Sequence, residues 1–255
     1  MTSNRTEARK PPKNSLGQSN GGIVQRIIQL LKLYADLQVF TVSKHVALWL
    51  TQQRGSLLEV GCGDQPYRSL VPASCTYVGI DQTDASTHFD MVEDSDIIRY
   101  TGEQFPCADG AFDALFHTEV MEHVFHYQNF LSECRRVLKP DGQMMFTVPF
   151  QARYHFIPYD YFRYTPSSIE MLLTEAGFSE IVITPRGTDI TIAAYKVLGV
   201  FFRWAYGNWR GKLLFLLTAP LTFLMLVIAH LSLITKSGST DDCLGYSVTA
   251  RCTPV

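Results

Sequence analysis

Apolar positions along the chain follow two periods. In "IVQRIIQLLKLYA" (23–35), Ile23, Ile27, Leu30, Leu31 and Tyr34 recur at helical spacing, and a second helix is predicted over 39–53. Short apolar runs then alternate with helical stretches. "SLLEVG" reads as strand 1, "TYVGID" as strand 2 and "FDALFHT" as a later strand, which leads into "EVMEHVFHYQNFLSECRRVL", read as a helix. Lys139-Pro140-Asp141-Gly142 reads as a turn before the strand "QMMFTVPF". "TPSSIEMLLTEAGF" carries a Thr165 cap, Pro166 in the first turn and Gly177 at its end, which together mark a helix. "SEIVITP" and "LGYSVTARC" complete the strands. Apolar strands alternating with helices predict an α/β fold with a doubly wound, mostly parallel sheet. The first 22 residues are polar, contain Pro11-Pro12 and Gly21-Gly22, and read as a flexible basic tail.

The 255 residues suffice for one good-sized domain and an appendage, and their 46% hydrophobic and 18% charged content fits a globular chain. The net charge of −2 conceals an asymmetry. Residues 1–32 carry six basic side chains against Glu7, and residues 185–236 carry six against Asp189. Residues 33–184 hold nine basic and twenty acidic residues, which argues against a nucleic-acid groove there. Basic ends that are also apolar suit an anionic membrane surface. The six scattered cysteines form no C-x-x-C pair and read as reduced, in a cytosolic protein.

"LLEVGCGDQPY" (57–67) ends a strand on Gly61-Cys62-Gly63, where a ligand meets the backbone closely, and Asp81 ends the next strand, placed to take both hydroxyls of a ribose. Two details separate the cofactors. Pro66 stands where a dinucleotide fingerprint has its third glycine, and Glu59 would repel a pyrophosphate but favour a sulfonium and an ammonium. S-adenosylmethionine carries both cations and no phosphate.

In order, Glu59-Val60-Gly61-Cys62-Gly63, Asp81, "FPCADGAFDALF", "TEVMEHV" and "RVLKPDGQMMFTVPF" resemble the successive motifs of class I S-adenosylmethionine-dependent methyltransferases of the type 11 branch, over roughly 57–184 with a last strand at 244–252. The resemblance implies a seven-stranded Rossmann-like sheet with an antiparallel last strand. It also implies a cofactor-binding set of Glu59, Gly61, Cys62, Gly63, Asp81, Gln82, Asp94, Thr118 and Glu119. Within that set Glu59, Gly61 and Gly63 face the methionine part, Asp81 the ribose and Asp94 the adenine, with Ser95 or Asp96 as substitutes for Asp94; Thr118 follows the fourth strand beside the cofactor.

On the acceptor side, "HFIPYDYFRYT" (155–165) concentrates polar and aromatic groups after a strand end. His155, Asp160 and His123 are the candidate catalytic residues; the structural alternative pairs Asp160 with Arg163. On a helix, Glu119, Glu122 and His123 would share one face and suit a divalent cation with His155 as a fourth ligand, a pattern similar to that of metal-assisted small-RNA 2′-O-methyltransferases and ubiquinone-pathway O-methyltransferases. The same pattern also serves as plain active-site lining. His126 reads as solvated and His117 as a satisfied core group.

Residues 213–234, "LLFLLTAPLTFLMLVIAHLSLI", contain no Lys, Arg, Asp or Glu and reach the length of about 20 residues that spans a bilayer. The preceding 190–209 are apolar and aromatic, like an interfacial helix. If the last strand pairs with "SEIVITP", both ends of the insertion lie together and one full crossing is excluded; Pro220 would then kink a re-entrant segment. The chain divides into the tail (1–22), N-terminal helices (23–56), a methyltransferase core (57–185 and 243–255) and an apolar helical insertion (186–242) that attaches to the cytoplasmic face of a membrane or caps the core. The function expected is methyl transfer to an acceptor at or near the membrane: a lipid, a quinone-like ring or a lipid-linked glycan. The alternatives are a non-catalytic cofactor-binding module, or a soluble small-molecule methyltransferase whose apolar helices form a dimer interface.

Overall fold

The computed structural model describes residues 22–83 and 96–253. Helices α1 (Ile23–Ala35) and α2 (Leu37–Leu50) lead into β1 (Gly55–Val60), β2 (Cys75–Gln82), β3 (Ile97–Tyr100) and β4 (Phe112–Thr118). Then come α3 (Tyr127–Val137), β5 (Leu138–Pro149), α4 (Pro166–Glu175) and β6 (Phe178–Pro185). Three helices follow, α5 (Asp189–Ala205), α6 (Trp209–Leu217) and α7 (Ala219–Thr235), before β7 (Gly245–Cys252). The seven strands form one sheet in the order β3-β2-β1-β4-β5-β7-β6. The first five pair in parallel, and β7 runs antiparallel to both β5 and β6. The expected doubly wound sheet with an antiparallel last strand is therefore the fold.

The two-residue period of the strands sorts the core. Leu57, Ala114, Phe116 and Met145 face Val42, Val46, Trp49 and Leu50 of α2. Their neighbours Leu58, Leu115, Met144 and Phe146 face Phe130, Leu131 and Cys134 of α3 and Ile169, Leu172 and Leu173 of α4. The Thr165 hydroxyl caps α4, accepting from Ser168 N–H at 3.3 Å.

The structure corrects several local readings. The single helix expected from residue 119 begins only at Tyr127; before it lie a loop and one 3₁₀ turn, Met121–His123. The β1–β2 crossover carries only a 3₁₀ turn, Arg68–Leu70, and β3 was not among the strands read from the sequence. His117 is buried and stacks on Phe146, ring centroids 4.8 Å apart, but neither of its ring nitrogens has a hydrogen-bond partner among the described residues. It is an apolar-packed ring and not a satisfied polar group; burial lowers its pKa to about 3, so it is neutral.

Among the described residues no single helix is long and apolar enough to cross a membrane. The uncharged stretch breaks instead into α6 and α7, bent by 61°. Pro220 sits in the first turn of α7, where a missing N–H loses no helical bond, so it starts a helix and kinks none. The helices pack back on themselves: the Thr191 and Ser232 hydroxyls meet at 2.6 Å, and Leu37, Ile192, Leu198, Ala229 and Leu244 form a third core. The two ends of the insertion are clasped. Arg186 and residues 244–245 exchange backbone bonds of 2.8 and 3.0 Å, and Asp189 N–H donates to Ser239 O at 2.9 Å.

Candidate active site

The parallel strands β1, β2, β4 and β5 all end at one edge of the sheet, where ligands bind in open α/β folds. The glycine loop leaves β1 there, tied to β2 by Gly61 N–H and Cys62 N–H, both donating to Ile80 O at 2.9 and 3.2 Å. Gly61 has φ +66°, and a Cβ on it would stand 2.6 Å from Val120 Cγ2, so both conformation and space demand glycine. Gly63 has φ +53° and donates its N–H to Asp81 Oδ2 at 2.8 Å, while Gln82 N–H donates to Oδ1 at 2.7 Å. Asp81 is thus fixed at the end of β2 with both oxygens aligned. Each oxygen keeps a further lone pair, which is what two vicinal ribose hydroxyls need. Burial raises its pKa, opposed by these two N–H bonds.

Glu59 is buried and accepts a hydrogen bond from the Tyr77 hydroxyl, whose ring in turn carries the Arg68 guanidinium at 4.3 Å. Sequence reasoning missed Tyr77; its partnership is visible only in the parallel register of β1 against β2. Burial pushes the Glu59 carboxyl up to about 8, so in the unliganded protein it holds a proton at neutral pH. Below the unfolded value of 4.5 that proton contributes its full stability, which is lost as pH rises through about 8. A cation placed beside Glu59 favours the ionised form. S-adenosylmethionine affinity is therefore expected to rise with pH up to about 8, with proton release at pH 7 that calorimetry in buffers of different ionisation enthalpy will detect. A flat profile would place the cofactor's cations elsewhere.

Cys62 is buried beside Glu59, which with burial holds its thiol protonated. Thr118 ends β4, and Glu119 extends the β4–β5 ladder by one bond, donating its N–H to Thr147 O at 3.0 Å. Asp94 lies outside the described residues; Asp96 begins the segment that follows.

Two loops interlock above this edge. Tyr161 N–H and Phe162 N–H donate to Glu122 O at 2.9 and 3.3 Å, and the Tyr164 hydroxyl donates to Met121 O at 3.2 Å. His123 Nδ1 lies 2.8 Å from Tyr159 O, an acceptor only, so that nitrogen carries the proton. Burial lowers its pKa to about 4. The outer rim is apolar, with Phe125, Tyr154, Ile157 and Tyr161 exposed.

The structure separates the candidate acceptor residues. The Asp160 carboxylate is buried and accepts from both terminal guanidinium nitrogens of Arg163, at 2.6 and 2.7 Å, and from the His155 backbone N–H at 3.0 Å. Burial alone would raise its carboxyl, but Arg163 and His155 hold it below the usual carboxylate range. It is a fixed anion that positions His155. Glu119 does not share a helical face with Glu122 and His123: it stands at φ +52°, and its carboxylate binds Arg186 at 2.8 Å. His155 replaces it, since Glu122, His123 and His155 offer ligand atoms within 4.8 Å of one another.

Arg186, which in the sequence is one basic residue among several, is fully buried. Its guanidinium donates to Glu119, to Val148 O at 3.2 Å, to the Thr41 hydroxyl at 3.2 Å and to Gln38 O at 3.4 Å. It thereby ties α2, the end of β5 and the loop after β4 to the root of the insertion.

The sheet order and this glycine loop form the Rossmann-like methyltransferase fold. Residues 58–146 match the family model described as a methyltransferase domain. Over 100 residues the chain is 32% identical to phthiotriol/phenolphthiotriol dimycocerosates methyltransferase 1 of Mycobacterium ulcerans (strain Agy99); the match covers 36% of each protein. Among solved structures, a SAM-dependent methyltransferase from Archaeoglobus fulgidus is similar over 89% of this chain and 99% of its own, at 13% identity and a TM-score of 0.54. The [4+2]-cyclase SpnF is similar over 84% and 81%, at 20% identity and a TM-score of 0.50. A cyclase on the same fold shows why the chemistry must be argued from the site.

Proposed function

We propose that this protein transfers the methyl group of S-adenosylmethionine to an apolar, lipid-class acceptor presented at an anionic membrane surface. The bound cofactor supplies an electrophilic methyl group. The protein supplies orientation: Gly61 and Gly63 admit the cofactor backbone-close, Asp81 fixes the ribose, and the rim of Phe125, Tyr154 and Tyr161 meets an apolar acceptor.

The observation that carries the membrane reading is the exposed apolar surface of α1, α6 and α7. Ile23, Val24, Leu31, Trp209, Leu216, Leu217 and Phe223 are each 65–77% exposed, beyond what isolated surface side chains need. Helices α1 and α7 are joined where His230 Nε2 meets Tyr34 O at 2.9 Å. Arg26, Lys32, Arg210 and Lys212 accompany this surface, and no acidic residue occurs from 190 to 240, a balance that matches anionic headgroups at about 1 kcal/mol per basic residue near the surface. The clasped ends of the insertion keep both its roots on one side. Arg153 of the acceptor loop interacts electrostatically with Asp36 between α1 and α2 and with Tyr195 of α5, so the acceptor loop borders this region. The mycobacterial relative is named for a dimycocerosate acceptor, which agrees with a lipid class.

Vesicle flotation tests the reading. The wild-type protein is expected to float with phosphatidylglycerol vesicles and less with purely zwitterionic ones, and Leu217→Asp with Phe223→Asp to remain at the bottom while still binding cofactor. Wild-type protein that ignores vesicles and elutes as a dimer would assign the apolar surface to a second copy instead.

A further inference from the structure

We infer that Tyr77 is a positioning residue for Glu59: its hydroxyl decides how readily that carboxyl ionises, and so the pH range in which the glycine loop takes up a cation. The functional half rests on the S-adenosylmethionine reading above; the geometry does not. Strands β1 and β2 pair in parallel with Leu57 beside Tyr77 and Glu59 beside Gly79, so the two-residue period sets all four residues on one face of the sheet. Tyr77 therefore reaches Glu59 by lying along β2, across residue 79. Glycine leaves that lane open. A Cβ on Gly79 would stand 3.0 Å from the Tyr77 hydroxyl, 3.1 Å from Cys62 Sγ and 2.9 Å from Gln65 Nε2. The hydroxyl donates to Glu59 Oε2, and the Arg68 guanidinium lies over the tyrosine ring at 4.3 Å. The glutamate so engaged is only 2% exposed.

A carboxyl buried in this way ionises only where donors meet its charged form. Burial opposes the charge most strongly, and the Tyr77 hydroxyl is the largest influence in its favour. Asp81, at the end of β2, adds repulsion, and Arg68, on the turn between β1 and β2, adds attraction. Cys62 and Tyr67 also face Glu59, but burial and Glu59 itself make both hold their protons more tightly, so neither takes the charge. The balance leaves the Glu59 carboxyl at about 8, near enough to neutrality for an arriving positive charge to send its proton to solvent. Without the tyrosine hydroxyl that proton is held more tightly, and each further pH unit weakens the binding of a cation at pH 7 by about tenfold.

Carbon-13 NMR of the Glu59 carboxyl in the full-length, unliganded protein, assigned with Glu59→Gln, tests the inference without any cofactor. Tyr77→Phe keeps the ring beneath Arg68 and removes only the hydroxyl. A hydrogen bond to a charged group is equivalent to about 1–2 pH units, so the Glu59 midpoint should rise by that amount. Calorimetry with S-adenosylmethionine gives the functional readout. In Tyr77→Phe the affinity at pH 7 should fall by about tenfold or more, and proton release at about pH 8.5 should grow from a minor fraction in the wild type to most of one proton. A purely structural role would weaken binding alike at every pH and leave proton release unchanged. Should Tyr77→Phe fail to fold, Gly79→Ala, whose methyl group crowds the same hydroxyl, gives the same comparison. An unchanged Glu59 midpoint in the folded variant, or a moved midpoint with an unmoved pH profile of cofactor binding, would overturn the inference. A midpoint that moves in a protein whose wild type does not bind S-adenosylmethionine sinks the cofactor reading alone.

Discussion

Replacing Arg186 by methionine is expected to lower stability by about 3 kcal/mol, the low end of the range for removing one partner of a buried pair. The side chain has no exposure and serves four acceptors on three elements. Methionine fills much of the volume but leaves Val148 O and Gln38 O without this donor, inside the protein. Glu119 contributes less to the loss, because its side chain is 29% exposed and water can take over. Removing the unpartnered buried Nε offsets part of the penalty. For a chain of this size the melting temperature should fall by about 6–12 °C. A shift of under about 2 °C would show that the guanidinium is replaceable and that α2 and β5 hold together without it.

Asp81→Ala is expected to weaken S-adenosylmethionine binding by about 1–3 kcal/mol, on the order of 10–100-fold in dissociation constant. Two effects add. The ribose loses a charged acceptor, and Gly63 N–H and Gln82 N–H lose the carboxylate that aligns the glycine loop with β2. Asp81→Asn separates them: its amide oxygen can still accept one N–H, so the loop should stay better ordered than in the alanine variant. An unchanged dissociation constant in folded Asp81→Ala would move the ribose contact to another residue.

These effects differ in how far the sequence foretold them. The Gly61–Gly63 loop and Asp81 stand at strand ends set by apolar runs, so both the sheet and this half of the site were legible as pattern. The loop after β4 was not. Val120, Met121 and Val124 mimic a helical period, but Glu119 is held at φ +52° by an arginine 67 residues away, and the chain cannot enter a helix before Tyr127. Local periodicity carries no information about such a partner. The same arginine removed Glu119 from the set it was read into with Glu122 and His123. Tyr77 was invisible for a related reason, since only the register of β1 against β2 sets its hydroxyl on Glu59. Strand β3 is four residues long and includes Arg99, too short and too mixed to show an alternating pattern. For the uncharged run 213–234 the sequence predicts a kink at Pro220, but composition does not report that the 61° bend falls between α6 and α7, just before that proline.

Calorimetric titration of the wild-type protein with S-adenosylmethionine and, separately, with NAD tests the central claim most directly. A protonated Glu59 that a cation can discharge, and Pro66 in place of a third glycine, predict one-site binding of S-adenosylmethionine with proton release at pH 7 and no heat from NAD. Saturable binding of NAD, with no response to S-adenosylmethionine, would contradict it.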